Sequence, residues 1–264
     1  MSSNLTLAVS LSFNPRLSTS DVDRVRIEKE NMREKIIAGN IYHVINRGVD
    51  QRKIFLSEED YFRFIHDLFE FNDLNSANNT NYFFLRKKNS IDIGCRYIER
   101  RPRKLLVEIL AFSLMPNHYH LLLKTRFDDG IANFMKKINM GYAKYFNQKY
   151  KRAGALFAGK YKAVLIKRDE HFIHIPYYIH LNPLDLEFPE WRKRKIKDYK
   201  KAIKFLENYR WSSFQDYIGK TNFPSITQRD FLLNFFEGTK QYKKDTIKWL
   251  KEIELEEIRD FVLE

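Results

Sequence analysis

The chain has 264 residues, 44% of them apolar and 15% aromatic, enough to bury a core and to exclude disorder throughout. Lysine and arginine outnumber the acids 47 to 34, and the formal charge of +13 attracts polyanions such as nucleic acid while also serving solubility. The single cysteine, Cys95, offers neither an internal disulfide nor a thiolate cluster. No apolar run of about 18 residues suggests a membrane span, so a reducing cytoplasmic setting without membrane contact is expected.

Residues 1–35 are rich in Ser, Thr and Asn and then alternate charges from Asp21 to Glu28, which reads as a flexible N-terminal extension; N-terminal sequencing would decide whether translation starts at Met32. From Gly39, the alternation of Ile41, His43 and Ile45 against Tyr42 and Val44 predicts a strand that stops at Arg47-Gly48. Ser57 followed by Glu58, Glu59 and Asp60 opens a helix to about Asn72, with Tyr61, Phe64, Ile65, Leu68 and Phe69 on one face. Residues 72–103 are polar, basic and weakly patterned and read as an insertion, either a surface loop or a nucleic-acid-contacting arm. Leu105 to Leu114 predicts a buried strand, Pro116-Asn117 a turn, and His118 to Thr125 the returning strand.

Ile131, Phe134, Ile138, Tyr142, Tyr145 and Phe146 then recur at helical spacing, with lysines largely on the other faces. Phe157 to Ile166 predicts a further strand, and Asp169-Glu170 opens a helix that must end near Asn182, since Pro183 disfavours helical geometry before it. The resulting order of strands and helices predicts an α+β fold, a ferredoxin-like split βαβ antiparallel sheet with an added helix. Trp191 to Lys204 forms a second basic run, Tyr209 to Tyr217 an aromatic lock, and residues 221–264 a helical C-terminal extension that includes Ile253, Ile258 and Val262. The main domain is accordingly placed at residues 36–220.

Two features carry chemistry. His118 and His120 stand two apart on a strand and project the same way, so both imidazoles can share a divalent metal, though a bare pair of this kind is more often structural. Tyr178 and Asn182 are i and i+4 neighbours if both are helical, bringing a phenol and an amide oxygen to one point. An amide oxygen suits Mg or Mn beside imidazole, and a phenol next to such an ion is a plausible nucleophile toward a phosphodiester. His174 and His180 read as structural. Arg47, Lys160, Lys162 and Lys167 flank the sheet as candidate phosphate contacts. Tyr145, Tyr161 and Trp211 could stack unpaired bases, with core packing the better reading for each.

Five segments occur together in one order: Ile41-Tyr42-His43-Val44-Ile45-Asn46-Arg47-Gly48, Met115-Pro116-Asn117-His118-Tyr119-His120-Leu121-Leu122, Leu156-Phe157-Ala158-Gly159-Lys160-Tyr161-Lys162, Tyr178-Ile179-His180-Leu181-Asn182-Pro183 and Tyr209-Arg210-Trp211-Ser212-Ser213. In this the chain resembles the REP-associated tyrosine transposases, which belong to the HUH single-tyrosine transposases of bacterial insertion sequences. The resemblance spans about Gly39 to Gly219. It implies a metal-dependent single-strand DNA endonuclease and strand transferase acting at hairpin-containing DNA. His118, His120 and Asn182 would then be the metal ligands, Tyr178 the nucleophile that takes a 5′-phosphate, and Mg or Mn the cofactor. Members of the family act as monomers or as homodimers, and that choice stays open.

Pro176, two residues before Tyr178, must begin or kink the helix, and a rotated face would make Tyr177 the substitute nucleophile. Two other function classes remain: a domesticated DNA- or RNA-hairpin-binding protein that has lost catalysis, and, more distantly, a metal-dependent hydrolase of small phosphoesters.

Overall fold

A computed structural model describes residues 36–75, 83–87, 90–94, 102–167 and 169–252, all within one compact unit of residues 36–264. The expectations for residues 1–35 and for Ile253, Ile258 and Val262 lie outside the described residues.

Four strands make the main sheet: β1 (Ile41–Arg47), β4 (Val107–Met115), β5 (His118–Thr125) and β6 (Lys162–Leu165). Their order is β4-β5-β1-β6, with every neighbouring pair antiparallel. Helix α1 (Glu58–Glu70) links β1 to β4 across β5, and helix α2 (Gly130–Lys149) links β5 to β6 across β1. These interleaved crossovers are the predicted split βαβ arrangement.

Side chains alternate between the two faces of the sheet. Tyr42, Val44, Ile109, Phe112, Leu114, Tyr119, Leu121 and Leu123 turn to one face and pack with Phe64, Ile65 and Leu68 of α1 and Ile131, Phe134, Ile138 and Tyr142 of α2. The expected α1 cap is present. Asp60 reaches back to accept hydrogen bonds from the backbone N–H groups of Leu56 (2.8 Å) and Ser57 (3.1 Å). Its carboxylate also accepts from Tyr145 Oη, Lys149 Nζ and Tyr150 Oη, at 3.0, 2.7 and 2.7 Å, which pins the start of α1 to the end of α2.

The opposite face, with Leu110, Ala111 and Leu122, is covered by α3 (Asp169–Leu181) and the elements after it. These are α4 (Tyr199–Asn208), α5 (Phe214–Tyr217), α6 (Asp230–Phe235) and α7 (Thr239–Glu252). A β-bulge between Ile109 and Ala111 turns Leu110 as well as Ala111 into this second core.

Several boundaries differ from those read in the sequence. Strand β6 begins at Lys162 and not at Phe157, because Gly159 has φ +122° and bends the chain, leaving only an isolated bridge between Phe157 and Gly48. Within 72–103, β2 (Phe83–Lys87) and β3 (Ser90–Gly94) form a separate antiparallel pair. The basic run holds a 3-10 turn (Pro189–Lys193) and then α4, whose N-cap Asp198 accepts from Lys201 N at 3.0 Å. The C-terminal helical stretch breaks between α6 and α7, where Glu237 and Gly238 have φ of 57° and 93°. The breaks before β6, before α4 and between α6 and α7 rest on positive-φ residues that hydrophobic periodicity does not register.

Candidate active site

The motif around Gly48 fixes one end of the site. Gly48 N donates to Asn117 O (2.8 Å) at the β4–β5 hairpin tip, and Val49 N donates to Leu156 O (3.0 Å). A Cβ on Gly48 would lie 2.3 Å from Arg52 O, so only glycine lets the chain return this closely. Strand register then does the rest. Arg47 pairs with His118, Ile45 with His120 and His43 with Leu122, so His43, His118 and His120 all point to the α3 face.

Those imidazoles form a chain. His43 Nε2 and His120 Nδ1 are 2.9 Å apart in nearly parallel rings, and the His118 and His120 ring centroids are 5.0 Å apart at 80°. His118 Nδ1 donates to Asn117 Oδ1 at 2.7 Å, which leaves its Nε2 as the nitrogen with the lone pair. That Nε2 is buried with no hydrogen-bond partner in the protein. Burial pushes the His118 imidazole down to about 4, with Arg192 and Arg47 adding to the shift and Asp185 opposing it. His120 lies well below its ordinary value, chiefly by burial and then through the neighbouring charges of His118, His43 and Arg192. Both rings are therefore neutral at pH 7, the form in which imidazole binds a metal.

Helix α3 brings Tyr178 against this chain. The Tyr178 ring is fully buried, with its centroid 5.9 Å from His120 and 6.0 Å from His43, edge-on to both. The helix continues through Pro176. Tyr177 turns away, stacking on Tyr242 at 4.9 Å and packing against Phe236, so the helix presents Tyr178 and not Tyr177 to the histidines. The rotation of α3 is held by His180, whose Nδ1 meets Tyr242 Oη at 2.7 Å and whose Nε2 meets Ser213 Oγ at 2.8 Å. His174 Nδ1 accepts from Trp249 Nε1 at 3.0 Å, so both of these histidines serve packing in this structure.

Asn182 starts the 3-10 turn Asn182–Leu186 that ends α3, and its Nδ2 donates back to Tyr178 O at 2.9 Å. Its Oδ1 accepts from Arg192 Nη2 at 3.1 Å. Arg192 also grips Asp185, Nε to Oδ1 at 2.8 Å and Nη2 to Oδ2 at 2.6 Å, and its guanidinium lies 5.7 Å over the Tyr178 ring. Among the described residues, no three His, Cys, Asp or Glu side chains gather to hold a metal. A cation held by His118 and His120 would need its further donors from another chemistry, such as an amide oxygen or water. The buried His118 Nε2 and the neutral imidazoles fit a divalent cation.

Arg47 is exposed beside His118, Lys162 sits on edge strand β6 across from Ile45, and Lys160 and Lys167 are exposed at either end of that strand. Trp211 is buried and stacks on Tyr61 at 4.5 Å, Tyr145 donates to Asp60, and Tyr161 packs part-buried on the first core. Sequence reading placed His43 on a strand without giving it a role, and it left Asp185 and Arg192 unremarked. Three imidazoles spread over two strands were a visible signal for the first; nothing local distinguished Arg192 within a basic run.

Residues 84–182 match the family model described as "Transposase IS200 like". Over those residues the chain is similar to the IS200-like transposases. The resemblance carried by the motifs is thus borne out at the level of this family, whose members are transposases. A solved structure described as a REP-associated tyrosine transposase bound to a REP hairpin aligns with 13% identity and a TM-score of 0.44, over 72% of this chain and 85% of that one. No curated protein matches the sequence. No described helix is long and apolar enough to cross a membrane.

Proposed function

We propose that this protein is a transposase-type enzyme that nicks hairpin-bearing single-stranded DNA through Tyr178 and rejoins it to another end. The observation that carries the reading is the approach of the Tyr178 ring, delivered by α3, to within 6.0 Å of His43 and His120 on the sheet. In the forward step Tyr178 Oη bonds to phosphorus and the bond from phosphorus to the 3′ oxygen breaks. The phenolic proton leaves to solvent and the departing 3′ oxygen takes one up. The product is a 5′-phosphotyrosine that keeps the phosphodiester's bond energy, so an incoming 3′-hydroxyl can reverse the step and join a new end.

His118, His120 and Asn182 would hold the Mg or Mn, which neutralises phosphate charge and favours the ionised phenol. The chain's own contribution is to keep both imidazoles neutral, to aim His118 Nε2 through the Asn117 contact, and to fix Tyr178 through the His180 brace. Arg47, Lys160, Lys162 and Lys167 supply positive charge for the strand's phosphates. Residues 36–220 make up the catalytic part, and α7 of the C-terminal extension braces α3 through Tyr242 and Trp249.

A non-catalytic hairpin-binding protein of the same fold is the second reading, favoured by the complete burial of Tyr178. Incubation with labelled hairpin DNA and Mg or Mn separates the two. A covalent protein–DNA adduct on a denaturing gel, lost in Tyr178→Phe while hairpin binding persists, is the expected result. Binding with no adduct in the unaltered protein would establish the second reading.

A further inference from the structure

Arg192 reaches the site from outside every element that the motifs mark. Its guanidinium lies over the Tyr178 ring and hydrogen-bonds Asn182, so it touches both side chains that α3 and its end contribute. It is not a loose surface charge, because the two-point pairing with Asp185 fixes the plane of its fork. Asp185 is in turn held by Trp191 Nε1 at 2.7 Å. Nor is it sealed off: the Arg192 side chain is 24% exposed and that of Asp185 26%, which leaves a solvent-facing approach.

The charges around it need an anion. Asp185 offsets the positive charge of the guanidinium, while His120, packed against His118, lies edge-on to the same Tyr178 ring. A cation held by those imidazoles would add further positive charge beside the guanidinium. A negative group between two positive charges lowers their mutual repulsion. A phosphodiester at Tyr178 Oη is such a group, and a guanidinium whose Nε and Nη2 are held by Asp185 and Asn182 can present Nη1 to one of its oxygens.

We propose that Arg192 is a further catalytic residue that binds a non-bridging oxygen of the phosphate attacked by Tyr178, with Asp185 as the residue that positions its fork. This rests on the reading of Tyr178 as nucleophile. It adds a donor that stabilises the charge gathering on the phosphoryl oxygens in the transition state, without forming or breaking a bond of its own.

The test uses the full chain with a library of single-stranded DNA hairpins of randomised flanks, plus Mg or Mn. The adduct formed by the unaltered protein identifies a cleaved linkage, and that oligonucleotide is remade with each methylphosphonate diastereomer at the scissile position. Arg192→Ala and Arg192→Lys are expected to slow adduct formation by roughly a hundredfold, with hairpin affinity changed by less than about threefold. In the unaltered protein both diastereomers should react slowly. In the variants one of them should lose its extra penalty, because the contact it removes is already missing, whereas a merely structural arginine would leave both penalties intact. Arg192→Lys keeps the charge and the stem should Arg192→Ala fail to fold. Adduct formation at the unaltered rate in either folded variant overturns the role of Arg192 alone. Absence of any adduct with the unaltered protein overturns the nucleophile reading and this proposal with it.

Discussion

Along β5, Tyr119, Leu121 and Leu123 turn toward α1 and α2, while His118, His120 and Leu122 turn toward α3. The first set meets only packing partners, and its one polar end, Tyr119 Oη, is satisfied by Asn139 at 2.7 Å. The second set buries imidazoles, which without partners would destabilise the fold by a few kcal/mol each. His43 and Asn117 supply those partners on the sheet, and Ser213 and Tyr242 do the same for His180 on the helix. One strand thus serves two purposes through its pleat. Both faces bury an apolar core, but the cluster of imidazoles lies only on the α3 side.

Substitutions on the two faces should therefore fail in different ways. The largest effect belongs to Tyr178→Phe, which removes the covalent adduct entirely while thermal unfolding shows a melting temperature near that of the unaltered protein. Phe64→Ala, on the opposite face and fully buried, should lower stability by about 3–5 kcal/mol in urea titration and leave divalent-cation affinity per folded molecule unchanged. A loss of affinity in that variant would couple the faces and break the comparison. His43→Ala should do the converse, weakening Mn binding about 10- to 100-fold by calorimetry through loss of the group that orients His120. Equal Mn affinity in that variant would reduce His43 to a packing residue.

Asp60 gives the smallest and most conditional effect. Burial works against its ionisation, but hydrogen bonds from Lys149, Tyr150, Leu56 N–H and Tyr145 outweigh it and hold the carboxyl below its ordinary value of 3.8. A depressed carboxyl stabilises the fold above the unfolded-state value and loses that contribution as pH falls through the folded one. Asp60→Asn should therefore be less stable than the unaltered protein at pH 7, with the gap closing below about pH 4. A gap independent of pH would mean that shape, not charge, matters at this position.

Much of this division was legible before any coordinates. The alternation in β1 and β5, the Ser57–Asp60 cap and the Pro183 stop are local signals, and each fell where the residues predicted. His118, His120 and Tyr178 stood out for the same reason. The pairing of His43 with His120 did not, because it depends on the register between β1 and β5, which are far apart in sequence. Arg192 was hidden because a guanidinium gripped by Asp185 and one waving in water look identical in a basic run. The breaks at Gly159 and Gly238 were missed because positive φ leaves no mark on hydrophobic spacing.

The rims of the sheet differ as well. Trp211 to Ser213 run along the outer edge of β4, where Leu114 N donates to Trp211 O at 2.8 Å and Ser213 N to Phe112 O at 3.0 Å. Among the described residues that leaves β6 as the rim of the four-stranded sheet with no strand beyond it, a template onto which another molecule's strand could add. It is short and carries Lys162, with Lys160 and Lys167 at its ends, and such mutually repelling ammonium groups discourage self-association. Neutralising these lysines to remove phosphate contacts would thus also strip the rim of its protection, and aggregation would have to be monitored alongside DNA affinity.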